Sequence, residues 1–434
     1  MAENKDKKVL NVPNKQEQQQ IRLSAAECEE FRPNGNVPNL RFKEFEGEWE
    51  KCRVSDLLDF YSTNSLSWDK LEYGTNAIQN LHYGLIHVGL PTMVDLDNDK
   101  LPNIVSGNTP KNYELCQEGD IAFADASEDT NEVAKAVEFY NLNGKDVICG
   151  LHTIHGRDNQ HKTIVGYKGY AFSSTAFHNQ IRRIAQGTKI YSISSKNFSE
   201  CYVGIPSKEE QAKIASLLRL LDKRIVTQNK IIEDLKKLRS AIIEREYTFK
   251  VQAHSHIGDF IEQNSNRNKD NIIQNVLSVS NRQGFIRQRE QFEDRSIASD
   301  DTSNYKIVAR NDFAFNPARI NVGSIARLTT FEKGIISPMY ICFHTKNSIL
   351  PEYLSFYFET KQFFSEIQKR LEGSVRQCLS YEGLCNIPLF PPVIEDQRRI
   401  GKRLFTLVQK FNLEMTFLEM LQKQKTYLLR QMFI

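Results

Sequence analysis

Two stretches of this chain, IPSKEEQAKIASLLRLLDKRIVTQNKIIEDLKKLRSAIIEREY (205–247) and PPVIEDQRRIGKRLFTLVQKFNLEMTFLEMLQKQKTYLLRQMF (391–433), follow one pattern. Gln211 falls on Gln397, Gly187 on Gly373, Ser194 on Ser380, Pro206 on Pro392, Glu209 on Glu395 and Ile214 on Ile400, always 186 positions apart. Upstream, GDIAFADAS (119–127) and NDFAFNPAR (311–319) stand 192 apart, and SDLLDFYSTNS (55–65) and SHIGDFIEQNS (255–265) stand 200 apart. A drifting offset means one scaffold used twice, with connecting loops of different length. Whatever fold one half adopts, the other must adopt as well.

Each copy ends in a heptad stripe. From Ile214 the pattern steps by four and three through Leu218, Leu221, Ile225, Gln228, Ile232, Leu235, Arg239 and Ile242, and all but Gln228 and Arg239 are apolar. The second stripe runs Ile400, Leu404, Leu407, Phe411, Glu414, Leu418, Leu421, Lys425 and Leu428, with its polar residues at the same two places. Polar residues inside a heptad seam weaken it but fix its register. A prolyl residue, an N-capping Ser207 and first-turn acids (Glu209, Glu210, Glu395, Asp396) mark where the helices start. Each helix is predicted to run about 38 residues, roughly 57 Å at 1.5 Å per residue. Such a stripe commonly packs on its own domain. Two matched stripes of equal length instead predict an antiparallel coiled coil in which each helix covers the other.

Between the helices lie two mixed regions, about 46–205 and 248–390. Runs such as DIAFA, KTIVGY, NQIRRIA, DFAFN, GSIARL and MYICFH read as short strands, and YLSFYFETKQFFSEIQKRL (353–371) as a helix. Residues 1–36 are polar and glutamine-rich, expected to be flexible with one short helix over 15–31. No apolar run approaches the roughly 18–20 residues of a membrane span, and the N-terminus lacks the apolar stretch of a secretory signal. The eight cysteines form no CxxC pair or regular spacing, so reduced thiols in the cytoplasm are expected. With 57 Lys and Arg against 54 Asp and Glu, the formal charge is only +3. A protein that grips DNA alone usually carries a stronger basic bias, so if this chain binds DNA, partners would share the phosphate neutralisation.

The opening PNLRFKEFEGEWEKCRVSDLLDF (38–60), the IPSKEEQAKIASLLRLLD block and its C-terminal echo resemble the specificity (S) subunit of type I restriction-modification systems, from about Val37 to Ile434. The resemblance implies an α+β fold in which two pseudo-repeated globular target-recognition domains are joined by two long helices forming an antiparallel coiled coil. The corresponding division is a flexible extension (1–36), a first recognition domain (37–205), a central spacer helix (206–247), a second recognition domain (248–391) and a C-terminal spacer helix (392–434). It further implies that each domain reads one half of a split, asymmetric site in double-stranded DNA. The helices would set the spacing and dock two methyltransferase (M) subunits, with restriction (R) subunits joining them. S-adenosylmethionine, ATP and Mg are expected on those partners and no cofactor on this chain. The alternatives are a specificity subunit of another restriction class and a coiled-coil scaffold that never touches DNA. The long N-terminal extension and the EDQ context of Gln397 depart from the family pattern without opposing it.

Catalytic machinery is missing from the sequence. There is no GxxxxGK[ST] phosphate loop. Asn316-Pro317-Ala318-Arg319 lacks the second proline and the aromatic that would stack on an extruded adenine. Cys149, His152, His155 and His161 fit no standard zinc spacing, so no metal is expected. Base readers should lie where the repeats differ, because the two halves would read different bases. In the first half the candidates are His152, His155, Arg157 and Lys162, and in the second Arg282, Arg287, Asn316, Arg319 and Asn321. Lys189 and Arg376, beside the shared glycine turns, are candidates for a common phosphate contact.

Overall fold

The computed structural model describes residues 35–248, 255–281, 283–291, 301–373 and 377–434. The short helix expected over 15–31 lies outside them. Both heptad stripes form long helices: a central helix, Lys208–Tyr247, of 40 residues and a C-terminal helix, Ile394–Gln431, of 38. The Glu210 amide donates to the Ser207 hydroxyl at 3.3 Å, capping the first. Every seam position named above is buried or half-buried, while most of the positions between them are exposed.

The chain divides into two compact units. One comprises the residues up to Thr227 together with Glu419–Ile434, the other Gln228–Leu418. Each unit therefore holds part of both long helices. In the second unit Gln228 donates to the Glu414 carboxylate at 2.5 Å and to its main-chain carbonyl at 3.1 Å, and Arg403 pairs with Glu246 at 2.9 Å. Those pairs run in opposite chain directions, as an antiparallel coiled coil requires. In the first unit Lys425 meets Asp222 at 2.6 Å, and Asp222 also accepts from the Tyr170 hydroxyl at 2.9 Å. Arg239, the counterpart of Lys425, donates to Glu359. Each polar seam residue has a partner, so the interruptions specify register without leaving a buried charge alone.

The two sheet layers repeat as well. In the first unit a five-stranded sheet has the order 59–61, 153–157, 121–124, 136–141, 93–95, beside a four-stranded sheet of 147–149, 79–81, 103–104 and 71–72. The second unit has a sheet of 261–264, 341–345, 313–315 and 325–327 and another of 284–287, 276–280, 333–336 and 306–309. Ala122 faces His155 just as Ala314 faces Cys342. The parallel pair 79–81 with 147–149 corresponds to 276–277 with 335–336. Ser194 caps the helix Ser195–Ser199 and Ser380 caps Tyr381–Cys385. The duplication is thus structural, down to individual hydrogen bonds.

Three local expectations are corrected. NQIRRIA is not a strand: it lies in the helix Thr175–Ile184, because Ser174 caps that segment and Phe177 and Ile181 bury one face four residues apart. KTIVGY forms a turn, since Gly166 takes a positive φ of 93° and the Ile164 amide donates to Gln211. The stretch 353–371 breaks into Pro351–Tyr357 and Lys361–Gln368, because Thr360 caps a new helix there.

One buried amide fastens each long helix to its sheets. Gln211 accepts from the Ile164 amide at 2.9 Å and donates to the carbonyls of Lys162 and Pro206 at 3.1 and 2.9 Å. Gln397 makes the same three bonds, with Leu350, Ser348 and Pro392, at 2.8, 3.2 and 2.8 Å. At the same helix start Arg41 makes a two-pronged bond with the buried carboxylate of Glu210, at 2.8 and 2.7 Å. Truncating Gln211 removes its bonds to the Ile164 amide and to the Lys162 and Pro206 carbonyls. Gln211→Ala is expected to cost about 1–3 kcal/mol, and Gln397→Ala a similar amount. Hydrogen exchange should show the loss confined to the unit that carries the substitution; loss spread equally over both units would contradict this local role.

Candidate nucleic-acid interface

In the first unit the turn around Gly187 and the segment Asp125–Ser127 are built together. Tyr191–Ser192 pairs with Ala126–Ser127, and the Ile193 amide donates to the Asp125 carbonyl at 3.1 Å. Gly187 has a φ of 142°, and a β-carbon there would fall on the Ile190 carbonyl, so the turn admits only glycine. Lys189 stands exposed in it. Asp125 in turn meets His152 Nδ1 at 3.1 Å, and His87 Nε2 lies 2.9 Å from the Ala126 carbonyl.

His152 opens a row of rings. It packs edge-on against Tyr83 at 5.2 Å, Tyr83 lies 4.7 Å from His82, and His82 lies 4.6 Å from Trp68. The Trp68 side is 46% exposed. Burial holds the His82 imidazole below its ordinary pKa, helped by His152, and its Nδ1 accepts from the Gly84 amide. That leaves the proton on Nε2. An exposed indole backed by neutral stacked rings is a surface on which a base or sugar can pack. Lys135, paired with Glu132 at 2.7 Å, also donates to the His87 carbonyl at 3.1 Å.

His155 and Arg157 are not on this surface. They lie two apart on strand Thr153–Arg157 and face inward, 0% and 8% exposed. His155 Nε2 sits 2.8 Å from Asp120, and Arg157 grips the same carboxylate at 2.9 and 2.8 Å. Arg157 also bonds Glu114 and the Leu115 carbonyl and lies over the Tyr61 ring. Burial disfavours charge on Asp120, but His155, Arg157 and the Gln117 amide outweigh it and hold its carboxyl below the usual range. For Arg157, the Asp120 bond raises an already high pKa further. Breaking such a buried pair costs about 3–5 kcal/mol, which neither residue can recover by turning outward. Lys162 is half-buried and paired with Glu50 at 2.9 Å. Of the first-half candidates, His152 and Lys189 offer exposed groups.

The second unit arranges its counterparts differently. Asn316, 6% exposed, turns its carbonyl onto the Ala318 amide at 3.1 Å and so closes the turn instead of facing solvent. Arg319 is exposed at the start of the turn Ile320–Val322, and Asn321 is half-buried within it. The Leu379 amide donates to the Pro317 carbonyl at 3.1 Å, the repeat of the Ile193–Asp125 bond. A cleft of about 490 Å³ joins this turn to Asn281, Gly284, Arg327 and Thr329. Arg327 pairs with Glu352 at 2.6 Å while its Nε has no hydrogen-bond partner. Arg287 is exposed, its guanidinium 5.5 Å from the Phe331 ring. Arg282 and Arg376 lie outside the described residues.

Sequence reasoning missed Trp68, His82 and Tyr83, because no local pattern joins 68 and 82–83 to 152. The one available signal was the crowding of aromatic and histidine residues between 60 and 87.

Among the described residues no helix is long and apolar enough to cross a membrane. Residues 98–237 match the family model of the type I restriction modification DNA specificity domain. No curated protein sequence gives a significant match. Among solved structures, the S subunit of a type I restriction-modification system from M. genitalium superposes with a TM-score of 0.56 at 16% identity, covering 92% of this chain and 99% of that one. A chain from a study of complex assembly and conformational transition in a type I system gives 0.53 at 13% identity, covering 89% and 98%. At these identities the likeness establishes the fold, two mixed α and β units and a pair of long helices, and the family model adds the kind of domain over residues 98–237. Residues 98–237 are thus similar to type I restriction modification DNA specificity domains, and the chain as a whole has the fold of solved type I S subunits.

Proposed function

We propose that the chain gives a type I restriction-modification complex its DNA sequence preference, each unit reading one half of a split, asymmetric site. The observation that carries this reading is one scaffold presenting two different surfaces at the same place. Asp125-Ala126-Ser127 and Pro317-Ala318-Arg319 are anchored by equivalent main-chain bonds, yet one meets a histidine and aromatic row and the other carries an exposed arginine. Arginine reads guanine through O6 and N7, whereas an imidazole and a nearby carboxylate suit other base edges. Lys189 and Arg376 beside the glycine turns would supply the phosphate contacts that hold register. Arg287 and Asn321 extend the second reading surface.

The chain is a non-catalytic subunit. Two methyltransferase subunits dock on the helix pair and restriction subunits join them, bringing S-adenosylmethionine, ATP and Mg. The assembly works on cytoplasmic DNA. With a formal charge of only +3, the chain alone should bind DNA weakly. Purified with S-adenosylmethionine it is expected to transfer no methyl group, and with M subunits to methylate adenine in a split motif. Methylation by the chain alone would refute the assignment.

Half-site independence can be read by competition binding of the S–M complex to site variants. Arg319→Ala should relax bases in one half only, by about 1–3 kcal/mol for a lost bidentate contact. Trp68→Ala should weaken the other half alone. A change in both halves from either substitution would remove the two-reader architecture.

The helix pair is proposed as the ruler. Four residues added after Gln228 and four after Glu414, where the two side chains bond each other, lengthen each helix by about 6 Å. The unread gap between half-sites should grow by one or two base pairs, at about 3.4 Å each, with both half-sites unchanged. A fully active variant with the original gap would show that the helices do not set the spacing.

A further inference from the structure

Inside the first unit three side chains from separate segments converge. The Cys116 amide donates to the Val147 carbonyl at 2.8 Å, and its neighbour Leu115 bridges Ile148, which brings Cys116 beside strand Val147–Cys149. His155 arrives from strand Thr153–Arg157 of the other sheet. The two sulfurs are 3.6 Å apart, and both lie within 4.8 Å of a His155 ring nitrogen. Cys116 is 6% exposed, Cys149 2% and His155 not at all. His155 Nε2 faces the Asp120 carboxylate at 2.8 Å, so in the neutral ring Nε2 carries the proton toward that acceptor and Nδ1 presents a lone pair. That Nδ1 is fully buried and has no hydrogen-bond partner. A buried polar atom without a partner is unfavourable and calls for an explanation.

The second unit provides an internal control. The register that places Ala122 opposite His155 places Ala314 opposite Cys342. Leu115 opposite Ile148 corresponds to Ile307 opposite Ile335, so Val308 stands for Cys116 and Ile336 for Cys149. Val308, Ile336 and Cys342 belong to an apolar cluster. The scaffold therefore packs well at these positions without a trio of metal-ligand types, and the first unit has one.

We propose that Cys116 Sγ, Cys149 Sγ and His155 Nδ1 hold a divalent cation of the zinc class, with Asp120 orienting the histidine from behind. Zn–S bonds of about 2.3 Å in a tetrahedral site separate two sulfurs by about 3.8 Å, close to the 3.6 Å found. A disulfide would require about 2.05 Å. A carboxylate on the far nitrogen of a ligating imidazole fixes its tautomer and strengthens its donor atom. Binding releases the thiol protons to solvent as the thiolates coordinate. Because the trio spans both sheets, the ion acts as a structural cross-link that loads during folding. This departs from the sequence reading, which grouped Cys149 and His155 with His152 and His161 and expected no metal; His152 and His161 are exposed instead.

The test is the metal content of the full-length chain, produced with zinc in the medium and dialysed against metal-free buffer. About one zinc per chain is expected, with a thiolate-to-metal absorption band when cobalt replaces it. Cys116→Val with Cys149→Ile copies the apolar packing of the second unit and should fold while losing both signals. A wild-type chain that retains no stoichiometric zinc, a Cys116–Cys149 disulfide in the native protein, or zinc retained by the double variant would each overturn the proposal.

Discussion

A single side-chain amide per repeat holds this architecture in place. Gln211 and Gln397 each join the first turn of a long helix to a loop of the same unit and to the carbonyl of the preceding prolyl residue. Both are buried, where an unmet hydrogen bond is expensive. The fixed geometry at the helix start decides where the following heptads point. Each helix then continues from the unit that starts it into the unit that receives its end. Tyr247, at the end of the central helix, stacks on Tyr353 at 4.6 Å, and Phe433, its repeat, lies 6.0 Å from Tyr167. Stability and connectivity therefore rest on the same few contacts.

On that frame the molecule separates structural charges from available ones. Arg157 sits in a network of two carboxylates, a carbonyl and an aromatic ring, and its value lies in keeping Asp120 ionised and in place. Arg319 occupies a turn that needs only its main chain. A group locked in a buried protein contact must break it before it can reach a base edge, whereas an exposed one mainly exchanges water for DNA. The two arginines carry the same charge, and burial alone assigns them different work. The same distinction explains why Asn316, despite a residue type suited to adenine, closes a turn.

The sequence by itself determined the duplication, the two long helices, their capped starts and the partnered polar places in the seam. Heptad spacing, caps and repeat offsets are properties of residues near one another in the chain or at a constant separation, so they can be read directly. It also yielded the strands at DIAFA, DFAFN and MYICFH. It misread NQIRRIA, where a capping Ser174 and a four-residue apolar spacing outweighed β-branched composition. Only the tertiary structure decided which histidines face water. His152 takes a left-handed turn that lifts it onto the surface, while His155, three residues later, points into the sheet. Only the tertiary structure joined Trp68 to His152, and Cys116 to Cys149, because β-sheet pairing sets those neighbours by register across loops of unequal length. Local pattern fixes what each segment becomes. Which side chains meet depends on long-range strand pairing, and no local spacing records it.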